Sequence, residues 1–528
     1  MDYNYKSEEA NTDSEQRKNL TGAGETDEIS LSEEVREPVE FSAREWLALL
    51  ASFGLAVLCE QVLRIVPYTT INIPSLGITA LVFVFVAIAL IYLGKKAKYS
   101  AVNILLLTAV LLMALSCTLF GNLNLRILNC LGILSVGAMT MFQISGQAKH
   151  MWSSARVIGD TIVLGALSLF ANVNKPFKAL PSLKKGKGHG FELFIGAIIA
   201  AMVLVIILPL LTSADVVFSD MISDLGDIMS NMDFYDKTWD LFKILVYMLL
   251  LFSVFYSMSS QRKIDGSLEL DESEHILESS SVAYATVLVI LNVVYIAFVT
   301  IQIRFLFGSA GTAAIRGGYS EYARSGFFQL VFVAIINLTT VLITITAGFK
   351  RAGKNTTVLK VLCILMLVLT SVILASALWR MLLYISVYGL SVLRMLTLWA
   401  IAVIAVGLAV AGIKIIKANT KFFPIIFVFA LSTWIVFNYT NVDARIANYN
   451  VDAYFDGRIE QLDVQYLSSL SADAIPALRR VAEAQWDTDE AADIRDYAAI
   501  SIDRMTANAN EETDWVHWNF SNNGLWKK

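Results

Sequence analysis

Long apolar segments dominate this sequence and constrain its fold more than any other feature. A helix needs about 20 apolar residues to cross the hydrocarbon core of a bilayer. Eleven segments approach or exceed that length, at residues 46–66, 75–94, 101–121, 127–145, 191–212, 239–258, 282–302, 326–347, 357–379, 395–416 and 421–439. Charged residues make up only 16% of the chain and hydrophobic residues 56%, which is more apolar than soluble domains are. The sequence therefore predicts an all-α fold, a polytopic integral membrane helical bundle of about 11 spans.

The charge of the chain falls into three blocks. Residues 1–43 carry 12 acidic and 4 basic side chains and residues 440–528 carry 16 and 8, so each end has a net charge of −8 and the middle has +11. The first block has few large apolar residues and is predicted to be a disordered acidic cytoplasmic tail. Residues 44–439 form the transmembrane helical domain. The last block has helical apolar spacing in segments 441–456, 472–484 and 488–507 and is predicted to be a small helical C-terminal extramembrane domain.

The connections between the apolar segments alternate between basic and basic-poor. The basic ones hold Lys95, Lys96, Lys98, Lys149, Arg156, Lys175, Lys178, Lys184, Lys185, Lys187, Arg262, Lys263, Lys350, Arg351, Lys354, Lys417 and Lys421. Because basic connections stay in the cytoplasm, the N-terminus is predicted to be cytoplasmic and the 440–528 domain extracytoplasmic. The stretch 152–173 contains Arg156 and Asp160 between basic clusters. It is interpreted as an amphipathic helix on the cytoplasmic face, not as a twelfth span.

Ionisable residues gather near the predicted outer ends of the spans, where a charge is costly unless it is paired or hydrated. Together with two tyrosines they form a candidate ligand-binding group: Glu60, Arg64, Asp215, Arg304, Glu321, Arg324, Arg380, Tyr384, Tyr388 and Arg394. Four-residue spacing puts Glu60 and Arg64 on one helix face, and does the same for Arg380, Tyr384 and Tyr388.

Two interpretations of this outer polar group stay open. One is an ion-pair network that locks the helix ends together. The other is a basic outer cavity for an anion, such as a lipid headgroup, a polyprenyl phosphate or a cell-wall fragment. In either case Arg304, Glu321, Arg324 and Arg380 are expected to lie in one cluster.

Cysteine and histidine point to no further chemistry. The four cysteines lie within predicted spans and the four histidines outside them, without the spacing of a metal-binding motif. No metal, no cofactor, no catalytic residue and no nucleic-acid partner is therefore predicted.

Four segments occur in an order that is distinctive. They are LNVVYIAFVTIQIRFLFG at 291–308, GYSEYARSGFFQL at 318–330, ALWRMLLYISVYGLSVL at 377–393 and NVDARIANYNVDAYFDGRIEQLDVQYLSSLSADAIPAL at 441–478. Together they resemble the bacterial multi-pass membrane family known as domain of unknown function 4173, which is related to family 4153. The resemblance covers the chain from about residue 46 to 520. It implies a membrane architecture and a bacterial cell membrane, and it implies no chemistry because the family has no established activity.

Three classes of function are compatible with these patterns. The sequence favours a scaffold or sensor-accessory protein of the cell envelope, which needs no site and whose partners are the bilayer and other membrane proteins. The alternatives are a transporter or flippase-like protein that binds an anionic lipid-linked or cell-wall ligand in an outer-leaflet cavity, and an enzyme that acts on a lipid-linked substrate. Few acids lie in the middle of the spans, which argues against an ion-coupled pump.

Overall fold

The structure is a computed structural model, described here for residues 41–64, 73–150, 152–179, 234–259, 281–307, 327–349, 356–485, 489–511 and 514–523, with five isolated positions between 207 and 218. Every regular element within these ranges is a helix. Nine of the described helices are long and apolar enough to cross a membrane, and a bent pair makes a tenth if it is counted as one span. The prediction of a polytopic all-α membrane protein is therefore confirmed.

A first bundle contains the helices of the N-terminal half. They are α1 (Ala43–Leu63), α2 (Leu76–Leu93), α3 (Ala101–Leu119), α4 (Leu123–Ser145) and α5 (Arg156–Phe170), followed after a gap by a long helix at Phe234–Ser259. Polar caps set the helix starts: Ser42 and Glu45 form a capping box at α1, and Asn122 accepts the Leu125 N–H at α4. The bundle packs around large apolar side chains that include Leu55, Leu93 and Phe255.

Short helix α6 (Lys175–Ala179) belongs to a different unit from the other described helices. Those helices form the second unit. Within that second unit, the long helix Phe234–Ser259, here α7, packs along α1 and also contacts α5.

A second bundle follows in the chain. It consists of α8 (Ser281–Phe307), α9 (Phe327–Ile343), the 33-residue α10 (Thr356–Tyr388) and α11 (Val392–Ile416). A π-helical turn, Thr344–Gly348, continues α9. The core of this second bundle includes the buried residues Leu288, Met366 and Ile404. Helix α12 (Phe422–Asn438) packs on both α11 and α3 and so joins the two bundles.

The outer surfaces of these helices are apolar. Between 17% and 50% of each span window is buried within the chain, and large side chains such as Ile91 and Leu131 are mostly exposed. In water such a surface would drive aggregation, whereas lipid tails cover it at no cost. The pattern of exposure therefore agrees with the composition: these helices face lipid.

The C-terminal segment forms a compact helical domain. It contains α13 (Val442–Phe455), α14 (Val464–Ser468), α15 (Ile475–Glu483), α16 (Asp489–Glu511) and α17 (Phe520–Asn523). Ile446, Leu467 and Leu478 are fully buried in its core. Helix α13 leaves α12 at an angle of 65°, through Asn441 in the left-handed backbone region at φ 48°. Because α13 is polar and packs on α15, we treat it as part of this domain and α12 as the span.

The C-terminal domain covers one end of the helical body, which we call the capped end. There, the Ser75 and Gly77 N–H groups donate to the Val516 carbonyl, and the Val392 N–H donates to the Tyr466 hydroxyl. These contacts join the domain to the α1–α2 and α10–α11 connections, both of which are predicted to be extracytoplasmic.

The basic connections meet at the opposite end. Lys96 Nζ donates to the Ser259 carbonyl, and the Lys98 N–H donates to the Ile144 carbonyl. The connections with described contacts thus lie at different ends of the body according to the set to which they belong, as the sequence requires. Which end faces the cytoplasm stays a prediction.

Helix α5 lies at this opposite end. Its first turn packs Val157 against Leu106 and Met139, which belong to the halves of α3 and α4 nearest the basic connections. Beyond its last turn, Asn172 donates to Ser253 and Ser257 near the end of α7. Both ends of α5 therefore contact the same end of the body, which is the arrangement expected of a helix that does not cross.

Two of the predicted spans need comment. The segment 191–212 lies outside the described residues, apart from isolated positions. The segment 421–439 is the 17-residue helix α12. It is slightly short for a membrane span by itself and is long enough only together with α13. Helix α12 is about 26 Å long at 1.5 Å per residue. It is short because the chain bends after it and places α13 at the capped end.

Candidate functional site

The structure describes the side chains of six of the ten residues in the predicted outer polar group. Asp215, Glu321 and Arg324 lie outside the described residues, and so does the side chain of Arg304, although its backbone is part of α8. The predicted cluster of Arg304, Glu321, Arg324 and Arg380 therefore stays a prediction. The contacts of the six described side chains form two groups, one between α1 and α7 and one around α10 and α11.

The first group is an ion cluster between α1 and α7. Lys243 Nζ lies 3.0 Å from Glu60 Oε1 and 2.8 Å from Asp240 Oδ1, and Arg64 lies 3.7 Å from Asp240. Glu60 is buried, with only 8% of its side chain exposed. The cluster holds two acids and two bases and has no net charge, so it ties α1 to α7 and attracts no anion.

Sequence reasoning found half of this ion cluster. The four-residue spacing identified Glu60 and Arg64 as neighbours on one face, but Asp240 and Lys243 were missed. Their own three-residue spacing, at the start of an apolar segment, is the signal that was available. A hydropathy pattern does not show which helices pack together. It therefore gave no reason to expect that Glu60 and Arg64 would contact Asp240 and Lys243.

The second group begins with buried Arg380 on α10. Its Nη2 donates to Gln302 Oε1 on α8 at 3.0 Å, and the Ser376 hydroxyl lies 3.4 Å from the same oxygen. Because Gln302 was not selected from the sequence, its role as a neutral acceptor for the arginine was missed. The contact fixes α10 against α8.

One turn further along α10, two tyrosines and an arginine form a stack. The Tyr384 and Tyr388 rings meet edge to face at 5.0 Å, as their shared helix face predicts. The Arg394 guanidinium lies over the Tyr384 ring, with Cζ 4.1 Å from the centroid. Its Nη1 donates to the carbonyls of Tyr388, at 2.9 Å, and Gly389. Arg394 thus closes the α10–α11 turn by binding the last carbonyls of α10.

A pocket of about 360 Å³ opens beside this stack. It is lined by Phe328, Met381, Tyr384, Ser391, Leu393, Arg394 and Thr397. Three helices contribute to it: α9, α10 and α11. Apart from the Tyr384 phenol, Arg394 is the only ionisable group among these lining residues. The pocket therefore combines an apolar wall with hydroxyl groups and one positive charge.

A polar seam, missed by the sequence analysis, joins the C-terminal domain to the body. Asn122, between α3 and α4, donates to Asp443 Oδ1, and the Ser471 N–H donates to Asp443 Oδ2 at 3.0 Å. Asp473 accepts from the Ser471 hydroxyl and from the Gly121 N–H, the latter a long contact at 3.5 Å. Asp443 is only 2% exposed. Burial raises the pKa of its carboxyl, and the nearby Asp473 adds to that effect, against the hydrogen bonds from Ser471 and Asn122.

A second buried polar set lies between α3, α4 and α12. Asn129 donates to Ser116 Oγ at 2.9 Å and to Asn438 Oδ1 at 2.7 Å, and accepts from Trp434 Nε1 at 2.9 Å. Each of these groups is satisfied by its neighbours, so the set reads as packing between helices.

Metal ligands do not come together in the described part of the chain: it holds no group of three His, Cys, Asp or Glu side chains suited to an ion. The four cysteines are free thiols.

Comparison with known proteins identifies a family and nothing closer. Neither the curated proteins nor the solved structures contain a match. The model of one family, described as a domain of unknown function (DUF4153), matches residues 107–481. The match confirms the relation to family 4153 that the motifs indicated, and family 4173 itself is not confirmed. With more than two thirds of its length matched, the chain belongs to the DUF4153 family.

Proposed function

We propose that this protein is a scaffold or sensor-accessory protein of the bacterial cell envelope, which holds its C-terminal domain in a fixed position on the membrane body. The observation that carries the proposal is the capped end. Backbone bonds from Ser75 and Gly77 to Val516, and the buried seam at Asn122 and Asp443, fix the domain to the first bundle. The Val392 to Tyr466 bond fixes it to the second.

The use of charge in the described spans supports this proposal. Glu60 and Lys243 neutralise each other, and Arg380 is bound to Gln302. Such contacts bind each charged side chain to a partner on another helix and so lock the helices together. An ion-coupled transporter would instead need an ionisable group near the middle of the membrane that is free to exchange its ion.

The domain also presents a surface that the other described residues leave exposed. Tyr497 and Ile500 on α16 are 41% and 64% exposed. They lie three residues apart on the outward face of the helix, beside exposed Asp493 and Asp496. An exposed tyrosine beside an aliphatic side chain is typical of the centre of protein–protein interfaces, and the two acids would lie at its polar rim.

Site-specific photocrosslinking in cells tests the proposal. A photoreactive residue at Tyr497 or at Ile500 is expected to give the same envelope-protein adduct. The matched control is Gln461, which is exposed in the loop between α13 and α14 and is expected to give no such adduct. Crosslinks to lipid alone from both α16 positions would contradict a scaffold.

A transporter or flippase-like role is the second candidate, and the pocket at Arg394 is the observation in its favour. Purified protein in vesicles would then move a fluorescent anionic lipid between leaflets faster than protein-free vesicles do. An enzyme acting on a lipid-linked substrate is a third possibility that no described contact favours.

A further inference from the structure

We propose that the pocket at the α10–α11 turn binds a phosphate group carried by a lipid, and that Arg394 holds it. This goes beyond the scaffold role and does not depend on it. The argument rests on the hydrogen-bonding state of Arg394, on the lining of the pocket and on a contrast with the other bundle.

Arg394 is held in place but not neutralised. A guanidinium has five N–H donors, and Nη1 is used on the Tyr388 and Gly389 carbonyls. Within the part of the chain that the structure describes, no protein acceptor contacts Nε or Nη2 and no carboxylate pairs with Arg394. The Tyr384 ring, 4.1 Å from Cζ, fixes the plane of the group. A guanidinium that is already oriented and keeps two adjacent nitrogens for a ligand is suited to bidentate binding of a phosphate.

The pocket lining matches an amphiphile better than a free ion. Phe328, Met381 and Leu393 form an apolar wall beside the arginine. Phe328 and Leu393 are 49% and 59% exposed, so this wall continues into the lipid-facing surface of α9 and α11. The volume of the pocket, about 360 Å³, lies within the range of small-molecule sites. A phosphate at Arg394 would leave room for an attached chain along this wall.

The ion cluster in the first bundle shows the contrast. Lys243 and Arg64 also lie in the half of the body nearest the capped end, but carboxylates of Glu60 and Asp240 pair with them. Any anion there would have to displace a carboxylate. At Arg394 the two carbonyls and the ring leave the positive charge in place, so an anion is attracted and not repelled.

Native mass spectrometry of the full chain in detergent tests the proposal. Phosphatidylglycerol is the anionic probe, phosphatidylcholine has the same phosphate with a neutralising cation, and inorganic phosphate is added as competitor. Arg394→Gln is expected to weaken phosphatidylglycerol binding by about tenfold, the cost of a lost charged hydrogen bond. Arg458→Gln removes an arginine that also lies over a tyrosine ring, that of Tyr449, but outside the pocket, and is expected to leave that binding unchanged.

A second variant guards against a folding defect. Leu393→Trp keeps Arg394 and its carbonyl bonds, lies at an exposed position and fills part of the pocket. It is expected to weaken phosphatidylglycerol binding as well, while the melting temperature without lipid stays that of the wild type.

The outcomes separate the sources of the phosphate. Displacement of phosphatidylglycerol by inorganic phosphate would support the phosphate site and identify its source as the soluble ion. Resistance to displacement would support the lipid. Equal binding of phosphatidylglycerol by wild type and Arg394→Gln, or no preference for it over phosphatidylcholine, would overturn the proposal.

Discussion

Gly121→Ala measures how strongly the polar seam holds the C-terminal domain. A Cβ on Gly121 would lie 2.8 Å from Ser521 Oγ and 2.9 Å from Ser471 Oγ, with the Ser471 Cβ closer still. Because these distances are well below van der Waals contact, Ser471 must move. Its N–H is the donor to Asp443 Oδ2, so the movement weakens the seam. Overpacking costs about 1–3 kcal/mol and a weakened charged hydrogen bond about 1–3 kcal/mol. Docking of the domain should therefore lose about 2–6 kcal/mol.

Limited proteolysis of the purified protein in detergent checks this value. The undocked fraction rises about tenfold for each 1.4 kcal/mol lost, so cleavage near the α12–α13 junction should accelerate by more than tenfold. Gly54→Ala on α1 is the matched control, because nothing lies within 4 Å of its added methyl group and alanine favours the helix. If Gly121→Ala is cleaved no faster than Gly54→Ala, the seam does not hold the domain and the reasoning fails.

Three further predictions address charge and topology. Glu60→Gln should lower the melting temperature, because Lys243 is then left with one carboxylate. The double variant Glu60→Gln with Lys243→Met should recover most of that loss. Additive effects of the two substitutions in this double-mutant cycle would exclude coupling between the side chains. Because burial raises the pKa of Asp443, its stabilising contribution is complete below the unfolded pKa and is lost as pH rises through the folded pKa. The stability of Asp443→Asn relative to wild type, measured by thermal melts, should therefore improve from about pH 4 upward, and a flat difference would contradict the shift. In a cysteine-free background, an impermeant thiol reagent should label a cysteine at exposed Ser469 and not one at Ser182, and labelling only at Ser182 would reverse the proposed orientation.

The spans were predictable because bilayer thickness sets a length that an apolar run must reach. The apolar segments do not show where a helix ends before it reaches the length of a full span. The window 421–439 has the composition of a span, yet the chain turns at Asn441, whose positive φ no hydropathy pattern announces. The length of α12 thus depends on the docking of the domain that follows it.

Charge partners were harder to predict than charge positions. Spacing along one helix identified Glu60 with Arg64 and Arg380 with Tyr384 and Tyr388. The partners on other helices were missed because pairing between helices depends on their neighbours. Asp443 has the appearance of an ordinary first-turn acid of an amphipathic helix. Its carboxyl is buried where α13 docks against the α3–α4 connection, more than 300 positions earlier in the chain, and against Ser471 of its own domain.

That separation has a consequence for how the protein is made. Asn122 and Asp443 are 321 residues apart, so the α3–α4 connection is synthesised long before its partner. Loops of this length close slowly, and folding rates fall as contacts become less local. Until the last helices have been made, three donors lack their partners in the folded protein and must hydrogen-bond to water or lipid headgroups. They are the side-chain amide of Asn122 and the backbone N–H groups of Ser75 and Gly77. A ribosome that stalls after α12 but before residue 516 therefore releases a chain whose spans have all been made but whose surface still offers unpaired backbone donors. Such donors are a signal that a quality-control protease can recognise.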